Sequence, residues 1–199
     1  NRCSLMQKLK QEIREKIINY AAHQFLKQGY NATSMRTIAN QCGISVSNLY
    51  NYYKNKEHLF SVLTADCYKE MQQLVHRIKN HSPSEGVDNK IFVNSVIQNL
   101  LSIIKSNKKE FLLLLDKSKG TKYERFKNNL IQILSHHFIE EFSHKKNQAV
   151  SEFITNTAAK NIIYGLIDIA KHTHNDEDIS IHTGNLINYH LHGILFFIQ

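Results

Sequence analysis

Residues 45–52 read Ser-Val-Ser-Asn-Leu-Tyr-Asn-Tyr and set four hydrogen-bonding side chains, Ser47, Asn48, Asn51 and Tyr52, around a single leucine. On a helix, Leu49 and Tyr53 fall four apart on one side, and the hydroxyls and amides take the other. Uncharged donors and acceptors of this kind pair with base edges and phosphates, and the small apolar Val46 suits a thymine methyl. So short and polar a helix buries little for itself. An anchored inner face with a hydrogen-bonding outer face is what a helix entering a major groove requires.

Other residue types that could carry chemistry are present without the spacing for it. The chain has 12 His and 3 Cys. The close histidine pairs, His136 and His137, His172 and His174, and His190 and His192, are adjacent or two apart, so on helices they point apart. No metal site and no cofactor are expected. Cys3, Cys42 and Cys67 are odd in number and form no CxxC, as where thiols stay reduced. No GxSxG, Walker A, GxGxxG or HExxH motif occurs, and no Cys stands in a recognised nucleophile context, which argues against an enzyme.

The elements that must position the polar stretch can be read around it. Ile13, Ile17, Ala21 and Phe25, with Ile18, Ala22 and Leu26 beside them, step at three and four and predict a helix over 12–28, with Gly29 as its stop. Ser34 can cap a second helix carrying Ile38 and Ala39 inside, with Cys42 in its last turn. Gly43 then makes the reversal, which needs positive φ, and the small Ala39 lets the next helix come close. Ile44 anchors the chain, Ser45 caps, and a third helix runs over 46–53.

The net charge of +8 is concentrated near these helices. Residues 1–81 hold 12 Lys or Arg against 5 Asp or Glu, an excess of seven, and the remainder is nearly balanced. That asymmetry favours an anionic partner at the N-terminal part, nucleic acid first among them. Seven Gly and one Pro in 199 residues are too few for an all-β chain. An all-α fold is expected. The longest apolar runs, 111–115 and 194–198, are five residues each, so no membrane span is expected, and with no signal-like N-terminus the chain reads as cytoplasmic.

Residues 33–60, Thr-Ser-Met-Arg-Thr-Ile-Ala-Asn-Gln-Cys-Gly-Ile-Ser-Val-Ser-Asn-Leu-Tyr-Asn-Tyr-Tyr-Lys-Asn-Lys-Glu-His-Leu-Phe, resemble the TetR family of bacterial transcriptional regulators. The likeness covers about 11–62 and rests on Ile38-Ala39, Gly43-Ile44-Ser45, Leu49-Tyr50, Tyr53, Lys56 and Leu59. It implies a three-helix DNA-binding domain over 1–56 and a larger helical regulatory domain over 57–199. It implies that Thr33 or Ser34 holds a phosphate, and that Arg36 reaches base or backbone. Val46, Ser47 and Asn51 would read bases, Asn48, Tyr50 and Tyr52 bind phosphates, and Lys56 grip a phosphate at the start of a fourth helix. Two positions depart from the pattern: Asn51 stands where bulkier or basic residues are common, and Thr37 where an acid often completes the capping box.

A long helix over 56–81, with Leu59, Leu63, Met71, Val75 and Ile78, leads to the Ser/Pro/Gly stretch at 82–86. Helical patterns recur over 87–105, 108–117, 121–145, 148–173 and 179–198. The resemblance implies a small-molecule site among the middle helices and dimerisation through the last two. Met71, Phe92, Phe111, Tyr123, Phe126 and Tyr164, with Asn161 and Asp168 as polar fixtures, are the ligand candidates. Ala158, Ala159, Ile162 and Leu166, then Leu186, Leu191, Ile194 and Leu195, are the dimer candidates. The expected function is a homodimeric repressor released from a palindromic double-stranded operator by a small molecule. The alternative is a DNA-binding factor under no small-molecule control.

Overall fold

The computed structural model describes residues 2–81, 87–146 and 151–197; the 82–86 stretch and the Leu195 side chain lie outside the described residues. Those residues form α1 (Arg2–Ala32), α2 (Met35–Cys42), α3 (Val46–Tyr52), α4 (Lys56–Lys79), α5 (Val87–Ser106), α6 (Lys108–Asp116), α7 (Phe126–Lys146), α8 (Glu152–His172) and α9 (Asp176–Phe197). No strand occurs among them, and the fold is all-α.

Regular helix in α1 gives way at Gly29, whose φ of 82° and ψ of 167° are non-helical, so the expected stop falls where a residue without Cβ permits it. The N-terminal end differs from the expectation. Helix extends back through residues 2–11, where Met6 and Leu9 are exposed, so no buried apolar stripe marked this part of the chain.

The chain forms two compact units. The first holds residues 1–66 with Lys109–Glu124, the second Cys67–Lys108 with residues 125–199. In the first, Ile17, Phe25, Ile38, Leu49, Leu59, Phe60, Phe111, Leu113 and Leu114 are fully buried. Phe60 sits at the centre of an aromatic cluster, 5.2 Å from Phe25, 5.4 Å from Tyr30 and 6.1 Å from Tyr123. The stretch after α6 ties in through its backbone: Tyr30 donates its N–H to the Lys117 carbonyl at 3.1 Å, and Lys122 donates to Glu57 Oε1 at 3.2 Å.

The helix expected over 121–145 begins five residues late. Thr121 Oγ1 donates to the Ser118 carbonyl at 2.7 Å and accepts from the Tyr123 N–H, while Glu124 accepts from the Gly120 N–H at 2.9 Å. These side-chain bonds offer the backbone turns in place of a helix. Gly120 needs its positive φ of 89° here, and a Cβ on it would fall 1.9 Å from Asn31 Oδ1.

In the second unit α7 packs on α8, α8 on α9 and α9 on α5. Gly165 sets the α8–α9 approach, since a Cβ there would lie 2.7 Å from a Leu186 methyl. His137, largely buried beside Glu141 and His81, has its pKa held below the ordinary 6.5 chiefly by desolvation, with Glu141 pulling the other way. Below pH 6.5 the unfolded chain therefore binds a proton that the folded chain refuses, so stability falls with falling pH until the folded imidazole is itself protonated. His137→Gln should reduce the loss in urea midpoint between about pH 7.5 and 5.5; an equal loss in both proteins would contradict this.

Candidate nucleic-acid interface

Local chemistry fixes α2 and α3. Ser34, extended at φ −114°, accepts the Thr37 N–H at 3.1 Å, and its hydroxyl also meets Thr37 Oγ1 at 2.8 Å. The threonine hydroxyl thus meets the capping hydroxyl, where an acid would reach back to the Ser34 N–H. Gly43 is left-handed at φ 70°, and the Ile44 N–H closes on the Ala39 carbonyl at 3.1 Å. Ser45 then starts α3, accepting the Asn48 N–H at 3.1 Å and touching Ser47 Oγ at 3.0 Å.

The inner side of α3 is anchored by Leu49, fully buried, and by Tyr53, which ends the helix, 2% exposed. Against α2, Ile38, Ala39 and Cys42 are buried as well. Burial raises the Cys42 thiol pKa, with the Lys16 charge opposing, so this is a protonated core thiol. On the outer side Ser47, Tyr50 and Asn51 are exposed, while Val46, Asn48 and Tyr52 are half-buried. Arg36 is exposed on α2, and Tyr50, at 48% exposure, is not a packed core aromatic.

Two expected phosphate ligands are otherwise engaged. Thr33 is 2% exposed, and its hydroxyl donates to the Gly29 carbonyl at 2.8 Å, closing the end of α1; Ser34 is the exposed member of the pair. Lys56 turns its ammonium onto the Tyr30 and Thr33 carbonyls at 2.8 and 2.9 Å, with Asn31 O at 3.4 Å, and lies 4.2 Å over the Tyr30 ring. Burial lowers its pKa. An ammonium has three donors, and here they serve the carbonyls at the end of α1. The N-terminus of α4 is capped by Asn55, whose Oδ1 accepts the His58 N–H at 2.7 Å.

Lys56→Met keeps the stem over Tyr30 and removes the ammonium. Loss of charged hydrogen bonds at a partly solvated site should cost about 1–3 kcal/mol of unfolding free energy, with the salt dependence of DNA binding unchanged. Unchanged stability with a shallower salt slope would instead return Lys56 to the phosphate role.

One part of this surface was not anticipated from the sequence. Lys10, Gln11 and Arg14 of α1 face Asn48, Asn51 and Tyr52 of α3 across a surface groove of about 470 Å³. The signal available was the i, i+4 pair of cations at the start of the first apolar stripe.

The ligand candidates farther along the chain are divided between the two units. Phe111 and Tyr123 lie in the first unit, fully buried and 6% exposed, as core. Met71, Phe92, Phe126, Asn161, Tyr164 and Asp168 lie in the second, where Met71 is core and Asn161, Tyr164 and Asp168 are exposed on α8. Ala158, Ala159, Ile162 and Leu166 are buried inside the single chain, as is Ile194, while Leu186 and Leu191 are half-buried. The buried residues pack within the single chain. Among the described residues no group of three or more His, Cys, Asp or Glu could hold a metal ion, and no helix is long and apolar enough to cross a membrane.

Residues 17–63 match the model of the bacterial regulatory proteins of the tetR family. The chain is 28% identical over 98 residues to the HTH-type transcriptional regulator UidR of Escherichia coli (strain K12), covering 49% of this chain and 46% of that one. It is 35% identical over 57 residues to the uncharacterized HTH-type transcriptional regulator YhgD of Bacillus subtilis (strain 168), covering 29% and 30%. The matches thus span less than half the length of these curated relatives. The whole fold is similar to that of a TetR-family transcriptional regulator from Bordetella parapertussis 12822, with a TM-score of 0.64 and 18% identity over 88% of this chain and 93% of that one. These relatives and this fold neighbour are transcriptional regulators.

Proposed function

We propose that the protein is a homodimeric, sequence-specific DNA-binding repressor whose affinity for a palindromic operator is lowered by a small molecule. The observation that carries this reading is α3 itself, held from inside by Leu49 and Tyr53 with Ser47, Tyr50 and Asn51 presented outward. In functional terms residues 1–56 form the DNA-binding domain and 57–199 the regulatory domain. Ser47 and Asn51, with Val46, read base edges; Ser34, Arg36, Asn48, Tyr50 and Tyr52 hold the backbone, and Ser45 orders α3. Thr33 and Lys56 support the site from behind.

For the dimer, the exposed sides of α8 and α9 replace the buried ones. Phe153 is 79% exposed, Tyr164 50%, Ile181 49% and Tyr189 74%, large apolar groups that the single chain leaves in water. A two-fold pair would set two α3 helices on successive major grooves, roughly 34 Å apart. A ligand controls such a pair only by binding one head spacing better than another, and α4, which contributes residues to both units, is the element through which that bias would act.

Sedimentation of the protein with a mixed-sequence 40-base-pair duplex at low salt tests the assembly. Two chains per duplex are expected. Phe153→Glu with Tyr189→Glu should leave a folded monomer whose DNA affinity falls at least about tenfold, because each head then binds alone. A wild-type monomer, or no DNA complex at any salt, would overturn the reading.

A further inference from the structure

The groove between the start of α1 and α3 has an unusual lining. Every residue around it is polar, none is acidic, and Lys10 and Arg14 supply two positive charges. Both cations are exposed, and among the described residues neither has an ion-pair partner. The acids of this helix are turned to other use: Glu15 accepts from Gln11 Nε2 at 2.9 Å, and Glu12 does not line the groove. Lys10 and Arg14, four apart, stand on one helical stripe. Small-molecule pockets are predominantly apolar and enclosed, and this groove is neither. What fits it is an extended polyanion, bound by ammonium and guanidinium on one wall and by the Asn and Tyr donors of α3 on the other.

We infer that Lys10 and Arg14 grip the sugar-phosphate backbone of the same duplex that α3 enters, extending the footprint beyond the helix-turn-helix. This rests on the DNA-binding reading above. The grip adds affinity without sequence information, since it meets phosphates alone. Its position beside Asn48 and Tyr52 makes α1 and α3 two walls of one backbone channel.

Fluorescence anisotropy of a labelled mixed-sequence 40-base-pair duplex, from about 50 to 300 mM KCl, tests it. Lys10→Gln with Arg14→Gln should lower the slope of log K against log salt by about 0.9 for each phosphate that the variant no longer neutralises. At 0.15 M salt that is roughly fivefold in affinity per phosphate. Lys10→Arg with Arg14→Lys should retain the wild-type slope. A control that removes two cations elsewhere, Lys90→Gln with Lys105→Gln, should also retain it. A wild-type slope in the Lys10/Arg14 glutamine variant, or an equal drop in the control, overturns the inference and leaves the regulator reading standing. Failure of the wild-type protein to bind any duplex overturns both. Both α1 side chains are exposed, so helix content and thermal midpoint are expected to match wild type.

Discussion

Ser47→Ala combined with Asn51→Ala is expected to remove sequence preference while leaving a folded protein that still binds DNA in a salt-dependent way. Each direct base contact discriminates by about 1–3 kcal/mol. Two positions on each of two protomers therefore total about 4 kcal/mol at the low end, or about a thousandfold, which is the lower bound of the usual gap between specific and non-specific binding. Neither side chain supports the fold: both are exposed, and Ser47 makes only the 3.0 Å contact to Ser45 Oγ. Alanine favours helix at both places. The stability change should stay within about 0.5 kcal/mol. Competition between an enriched duplex and a scrambled one, measured for both proteins, checks this. Preserved discrimination in the double variant would mean that α3 is not the reading element.

The second large effect lies in the core behind that helix. Phe60→Ala should destabilise the first unit by about 3–5 kcal/mol, since it empties a fully buried ring site and breaks edge contacts to Phe25 and Tyr30. Because Tyr30 also lies under the Lys56 ammonium, its displacement should loosen the clasp at the end of α1. Chemical denaturation followed by tyrosine fluorescence would show the shift. A destabilisation under about 1 kcal/mol would mean that the site collapses freely around the missing ring.

Legibility in the sequence followed the range of the interaction. The Gly43 reversal and the Ser34 and Ser45 caps depend on partners within four residues, and Leu49 and Tyr53 stand four apart on one side of α3, so all are readable from spacing. Lys56 was not, because its ammonium meets carbonyls 23 to 26 residues upstream, and no local rule links a lysine to the end of a distant helix. The apolar face of α8 was visible as a pattern, but periodicity says that a face is buried and not which surface buries it. Ala158, Ile162 and Leu166 are covered within the chain, and the isolated Phe153 and Tyr189, which form no stripe by themselves, stand exposed. The start of α1 escaped for the opposite reason: Met6 and Leu9 are exposed, so no buried stripe announced the turns that carry Lys10 to the groove, whereas Arg14 falls within the helix read over 12–28.

The central claim is that α3 reads a defined base sequence twice, once per protomer. Selection of a random double-stranded DNA pool by the purified protein at two salt concentrations, with sequencing of the retained fraction, tests it most directly. The expected result is enrichment of an inverted repeat whose half-site centres lie about one helical turn, or a whole multiple of it, apart. Salt-sensitive retention of the pool with no enriched sequence would contradict it.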